Sequence, residues 1–124
     1  MKRLVVALVL PMTSTLVWAQ ALSEQETSAA NAFKAFWAST DCAQMRKLSD
    51  WPQLVANMHS NDKELCESLV SLHQFVQQVE VTGVQLLPGD KARVSANISL
   101  LTGTSMKQQD TFTQVDGKWL LSAQ

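Results

Sequence analysis

The amino-acid sequence predicts an α+β fold, in which N-terminal helices pack on a curved four-stranded antiparallel meander sheet. A change of pattern along the chain indicates this class. Apolar residues recur at helical spacing from Leu22 to about Gln74, and from Phe75 onward they alternate with polar residues. The first period is typical of a half-buried helix and the second of a half-buried strand. Because the helices come first and the strands follow, the pattern favours α+β over an alternating α/β arrangement.

The start of the chain has the pattern of an export signal, which we predict to be residues 1–21. Two basic residues precede an apolar run over residues 4–10, and small residues then permit cleavage after Ala19 or after Ala21. An uncut membrane anchor is the alternative, but the run is shorter than the roughly 20 residues that a spanning helix needs. We therefore expect a periplasmic or secreted protein whose residues 22–124 form a single domain.

Composition excludes some classes of function. The 124-residue chain is 46% hydrophobic and 17% charged with a formal net charge of -1, which is ordinary for a globular domain. Beyond the N-terminus its longest basic stretch is Arg46-Lys47, so we expect no nucleic-acid partner. No pattern of His, Cys or acidic residues has the spacing of a metal site, and we predict neither a metal nor a cofactor.

The two cysteines, Cys42 and Cys66, agree with export. An even count in an oxidising compartment favours one disulfide, and this one would close a loop of 24 residues. In the chain-entropy model such a bridge stabilises the fold by roughly 3 kcal/mol. Two free buried thiols and a pair of metal ligands are the alternatives that the sequence leaves open.

The first helix is predicted from Leu22 to Ala38. Ser23 followed three residues later by Glu26 is a capping box, in which each side chain binds an otherwise unpaired backbone N–H group. Apolar residues then recur at helical spacing and predict the buried stripe of this helix: Ala29, Ala32, Phe33, Phe36 and Trp37.

Three further helices are predicted before the sheet. Two are short, Cys42 to Leu48 and Pro52 to Met58, and the second has a proline in its first turn. Asn61 with Glu64 then marks the start of a longer helix that ends near His73 or Gln74. A disulfide would join the first of these helices to the last.

The first predicted strand contains an irregularity. Alternation along it slips at Gly83, as it does where a β-bulge inserts one residue and bends the strand. After a turn at Leu87 to Asp90 comes the clearest strand, 92–101, whose apolar side is Ala92, Val94, Ala96, Ile98 and Leu100.

The closing strands are less well determined. The segment 105–115 is polar on much of both faces, which favours a place near a sheet edge or over solvent. Asp116-Gly117 is a strong hairpin signal before the last strand, 118–123. A two-residue turn and a three-residue turn remain open. Of the two faces, we predict that Trp119 and Leu121 point toward the helices, because Trp is the larger apolar group.

Two segments make the chain resemble the nuclear transport factor 2-like (NTF2-like, or cystatin-like) superfamily, in its small secreted bacterial type. One is A-A-N-A-F-K-A-F-W-A-S-T-D, ending at Asp41, and the other is F-T-Q-V-D-G-K-W-L-L, from Phe112 to Leu121. The resemblance implies a curved sheet wrapped around a long first helix, an apolar cavity between sheet and helices, and a possible homodimer. Its members range from enzymes to scaffolds, so fold alone does not fix function.

Two functions follow as hypotheses. We predict a non-catalytic exported domain that binds an envelope protein or an apolar small molecule, and a small cavity enzyme of isomerase or cyclase type is the alternative. An apolar cavity lining favours binding, whereas a buried carboxylate or His with a shifted pKa favours catalysis. No catalytic residue is predicted, and the chain has no Tyr to serve as a phenol donor. The predicted ligand-pocket residues are Phe33, Trp37, His73, Val94, Ile98 and Trp119.

Overall fold

The computed structural model describes residues 22–122, so the predicted signal peptide at residues 1–21 lies outside the described residues. Within that range four helices precede four strands, which confirms the predicted α+β class. The elements are α1 (Glu24–Ala38), α2 (Cys42–Lys47), α3 (Trp51–Asn57), α4 (Asp62–His73), β1 (Val76–Leu87), β2 (Lys91–Leu100), β3 (Ser105–Val115) and β4 (Lys118–Ser122). In the same range, no helix has both the length and the apolar character needed to span a membrane.

The four strands form one antiparallel sheet in the order β1-β2-β3-β4, as a meander requires. Between the pairs Val81–Ala96 and Gly83–Ser95 the register shifts, which leaves Thr82 as the extra residue of a bulge. This confirms the irregularity predicted at Gly83, and a bulge there bends and twists the strand. A second shift near the start of β1, before Gln78, was not predicted.

The hairpin between β3 and β4 has the two-residue turn. Val115 pairs with Lys118, and the turn residues Asp116 and Gly117 have φ angles of 51° and 79°. Both values lie in the left-handed region that a type I′ turn requires, which explains the Asp-Gly sequence. Trp119 is 6% exposed on the face that packs toward the helices, as predicted, and Leu121 lies with it in the core.

The core lies where α1 crosses the sheet. Phe33 of α1 is fully buried and its ring centroid lies 6.3 Å from that of Phe112 on β3. Val94 and Ile98 of β2 are also fully buried, which confirms the predicted dry face of this strand. Burying each such side chain contributes about 1.5–3 kcal/mol relative to leaving it exposed.

The helical part is held together by covalent and polar contacts. A disulfide joins Cys42 at the start of α2 to Cys66 in α4, with 5.7 Å between their Cα atoms. Beside it, Arg46 donates two hydrogen bonds to the Asp62 carboxylate, which also accepts one from the Trp51 indole. These contacts confirm the predicted disulfide and fix α4 against α2.

The segment between α2 and α3 covers the outer edge of β4. The Leu121 N–H donates to the Leu48 carbonyl at 2.9 Å, and the Asp50 N–H donates to the Leu121 carbonyl at 2.8 Å. This parallel bridge holds the start of α3 beside the sheet. It also pairs backbone groups that an open edge would leave exposed.

Candidate functional site

A cavity of about 580 Å³ lies between the inner face of β3 and β4 on one side and the helices α3 and α4 on the other. Leucines supply much of its helical wall: Leu54 from α3, and Leu65, Leu69 and Leu72 from α4. Phe36 and Trp37 of α1 also line it. Its volume falls within the roughly 300–1,000 Å³ that small-molecule sites occupy. The lining is therefore mostly apolar.

Asp110 of β3 is the acidic residue among the few polar residues of this lining. Asp110 pairs with Val94 across the sheet and has the same parity along β3 as the buried Phe112. Its Oδ2 accepts a hydrogen bond from the Trp37 indole N–H at 2.9 Å, and its Oδ1 accepts one from the Gln108 amide at 2.7 Å. Among the described residues that line the cavity, Asp110 is the only one with an ionisable side chain.

The pKa of Asp110 is raised above its ordinary value. Burial is the largest cause, because a carboxylate loses hydration when it leaves water. The hydrogen bonds from Trp37 and Gln108 and the nearby His73 act in the opposite direction without cancelling it. The side chain thus combines fixed orientation with an increased tendency to hold a proton.

His73, the last residue of α4, lies beside this carboxylate and is 2% exposed. Its Nδ1 lies 2.6 Å from the Ser39 carbonyl, which can only accept, so Nδ1 carries a proton. The imidazole packs on the Trp37 ring with 4.7 Å between the ring centroids, and it meets the Phe36 ring edge-on with 5.2 Å between the centroids. Burial lowers the pKa of His73, and the bond to Ser39 and the charge of Asp110 oppose that shift. His73 is therefore neutral at neutral pH, with Nε2 buried and without a hydrogen-bond partner in the described residues.

The six predicted pocket residues are divided between cavity and core. Trp37 lines the large cavity, and with His73 it also lines a smaller one of about 390 Å³ between α1 and the start of β1. The other four lie in the core, where α1 covers β2 and β4 directly: Phe33, Val94, Ile98 and Trp119. Contact between any of the six and a ligand stays a prediction.

Asp110 and Gln108 are not among the pocket residues that the sequence predicts. The segment 105–115 was expected near an edge, and β4 indeed pairs only with its second half, from Thr111 to Val115. The first half nevertheless turns its polar residues Gln108 and Asp110 toward the cavity. The alternation along the strand places both residues on the same face as the apolar Met106 and Phe112, and this spacing could have indicated that they point inward. Polar residues on both faces of the strand obscured it.

Comparisons with known proteins bear on the fold. The structure is similar to the crystal structure of a Campylobacter jejuni protein provisionally described as an NTF2-like transpeptidase, with a TM-score of 0.50 and 15% identity. The match covers 82% of this chain and 100% of that one. A de novo designed protein with a curved β-sheet matches with a TM-score of 0.37 and 22% identity, over 52% of this chain and 54% of the other. No protein-family model and no curated protein matches the chain.

The likeness to the Campylobacter protein is one of fold. Together with the cavity it defines a class, a small α+β domain with an NTF2-like arrangement of sheet and helices. Such a site can accommodate an apolar molecule and present one oriented carboxyl group to it. That group can accept a hydrogen bond, hold a charge or exchange a proton.

Proposed function

We propose that this protein is a binding domain whose cavity takes up an apolar small molecule. The observation that carries the proposal is a preformed space of about 580 Å³ with leucine and aromatic walls and a few polar groups on one side. Binding sites for small molecules commonly combine an apolar lining with a few oriented polar groups. Removing apolar ligand surface from water supplies the main driving force.

We also propose that the domain works outside the cytoplasm, in the periplasm or after secretion. The Cys42–Cys66 disulfide supports this, since disulfides persist mainly in oxidising compartments. The predicted export signal at residues 1–21 points the same way. Cell fractionation with an antibody against the protein tests it, and recovery in the cytoplasmic fraction would contradict it.

The binding proposal is tested with N-phenyl-1-naphthylamine, a neutral apolar dye that fluoresces when it leaves water. We expect saturable fluorescence with one dye per protein. Leu69→Gln, which puts an amide in the half-buried wall, should weaken dye binding about tenfold, because each polar group facing an apolar ligand loses hydration. Ser68→Gln on the same helix is exposed and is the matched control.

Equal dye binding by the Leu69 variant and the control would contradict a site in this cavity. Unsaturable or undetectable fluorescence with the parent protein would contradict the binding function itself. An envelope protein as the partner and a homodimer remain predictions. Sedimentation equilibrium of the same sample tests the homodimer.

A second candidate is a cavity enzyme that transfers protons, and Asp110 favours it. A buried carboxyl group with a raised pKa, oriented by two hydrogen bonds, has properties that general bases share. In the isomerisation of a β,γ-unsaturated ketone, Asp110 would take a proton from the α carbon, between the carbonyl group and the double bond. It would return the proton to the γ carbon, two carbons further along. The double bond would then move into conjugation with the carbonyl group.

Cyclohex-3-enone is a simple probe of this chemistry, because its conjugated isomer absorbs in the ultraviolet. We expect a rate that increases with pH as Asp110 ionises and that is lost in Asp110→Asn. A rate equal in the parent protein and in Asp110→Asn would exclude this role of Asp110. Glu80→Gln, an exposed change on β1, is the control.

A further inference from the structure

The charges around the cavity are unbalanced. Of the described residues that line it, Asp110 is the only acidic one and no Lys or Arg is present. The nearest titratable neighbour on the packed helices is His73, whose Nδ1 proton is used by Ser39 and whose lowered pKa leaves the ring neutral at neutral pH. An ionised Asp110 therefore has hydrogen-bond donors but no cation beside it.

The surroundings of Asp110 can also accept a positive charge. Each carboxylate oxygen accepts one hydrogen bond from the protein, from Trp37 or from Gln108, and an ionised carboxylate has capacity for about two at each oxygen. Trp37 and Phe36 line the same cavity, so aromatic side chains adjoin the carboxylate. An ammonium group would find both a counter-ion and an aromatic neighbour there.

We propose that the cavity selects an apolar molecule that carries a protonated amine, with its ammonium group paired to Asp110 and its hydrocarbon part against Leu54, Leu69 and Leu72. This inference rests on the proposed binding function and names its ligand class. A carboxylate or phosphate ligand would face Asp110 with no basic side chain in the lining to offset the repulsion. A neutral ligand would fit the walls but would leave the carboxylate unpaired.

The raised pKa of Asp110 agrees with this assignment, because the hydrogen bonds from the protein do not fully offset the hydration that the buried carboxylate loses. A bound ammonium group stabilises the ionised form, so binding should lower the pKa of Asp110. Amine binding below the raised pKa should therefore release a proton from the protein. An alcohol of the same length should release none.

The test compares decylamine, 1-decanol and decanoate as competitors for N-phenyl-1-naphthylamine at pH 7. We expect decylamine to displace the dye at a concentration at least tenfold lower than decanol, and decanoate to be the weakest. In Asp110→Asn the advantage of the amine should disappear while decanol is unaffected. This variant preserves the shape of the side chain, and Gln108 can turn its amide to accept from Asn. Glu80→Gln, on the exposed side of β1, should leave the order unchanged.

The results separate the two proposals. Equal displacement by amine and alcohol, or an amine preference that persists in Asp110→Asn, would overturn the amine assignment while the dye site stands. A failure of the dye and all three competitors to bind would overturn the binding function instead.

Proton release can be measured on the parent protein alone, by calorimetry at several pH values from 4 to 7, each in two buffers of different ionisation enthalpy. This arm keeps the proposal testable if Asp110→Asn does not fold. Release with decylamine but not with decanol supports the pairing. Equal proton counts for the two ligands would overturn it.

Discussion

Two neighbouring strands, β2 and β3, present inner faces of opposite character. On β2, Ala92, Val94 and Ile98 are fully buried beneath α1. On β3, the residues that pair with Val94 and Ala96 are Asp110 and Gln108, and they border an open cavity. Both strands belong to the same sheet, and the paired residues lie on the same face of it. The difference lies in what covers them.

The comparison shows how one sheet can hold a core and a site together. Over β2 the aromatic residues of α1 fill the space, and a polar group there would lose its hydration without a partner. Over β3 the covering helix α4 leaves a gap, and Trp37 supplies the hydrogen bond that makes a buried carboxylate tolerable. Beneath α1, therefore, close apolar packing determines which residues are tolerated. Beneath α4, a buried polar side chain is tolerated if it has hydrogen-bond partners.

The largest effect is expected from shortening a side chain in the closed region. Phe33→Ala should lower the free energy of unfolding by about 3–5 kcal/mol, because a fully buried ring leaves a cavity behind. Leu69→Ala in the open region should cost only about 1–2 kcal/mol, since a half-buried side chain loses less burial. Urea unfolding followed by circular dichroism measures both. Equal losses would mean that the two regions are packed alike.

A smaller loss is expected when the wall of the open region is released from α2. Replacing both Cys42 and Cys66 by Ala should destabilise the protein by about 3 kcal/mol, as expected for a 24-residue loop. The loss should appear in urea unfolding, and dye binding should weaken because α4 carries three of the wall leucines. Reduction of the parent protein with dithiothreitol is the parallel experiment. Unchanged dye binding in both would show that the disulfide does not hold the cavity wall.

The smallest effects are expected in the pH dependence of stability, and they have opposite signs. The lowered pKa of His73 means that the unfolded chain binds more protons, so stability falls as the pH drops below the ordinary His value of 6.5. The raised pKa of Asp110 means that the folded chain binds more protons, so stability falls as the pH rises above 3.8 toward the raised value. His73→Gln should remove the first slope and Asp110→Asn the second. Urea unfolding from pH 4 to pH 8 measures them, and parallel curves for the parent protein and both variants would contradict these assignments.

Much of the fold could be predicted from local patterns. The capping box at Ser23 and the N-cap at Asn61 set the starts of α1 and α4, because their side chains bind backbone N–H groups three residues further on. Gly83 marked the bulge and Asp116-Gly117 the last hairpin for similarly local reasons. The candidate site was harder to predict. Of the six expected pocket residues, Trp37 alone lines the large cavity.

The sequence by itself determined the order of helices and strands, the buried stripe of α1 and the dry face of β2, since each depends on spacing within a few residues. The cysteine count favoured the disulfide, and only the folded chain brings Cys42 and Cys66 within 5.7 Å. Tertiary structure alone decided that Asp110 faces a cavity rather than solvent. The side chain of a strand residue points to one of the two faces of the sheet, and elements far away in the sequence decide which face is covered. Here Trp37 of α1, which binds Asp110, lies 73 residues before it in the sequence.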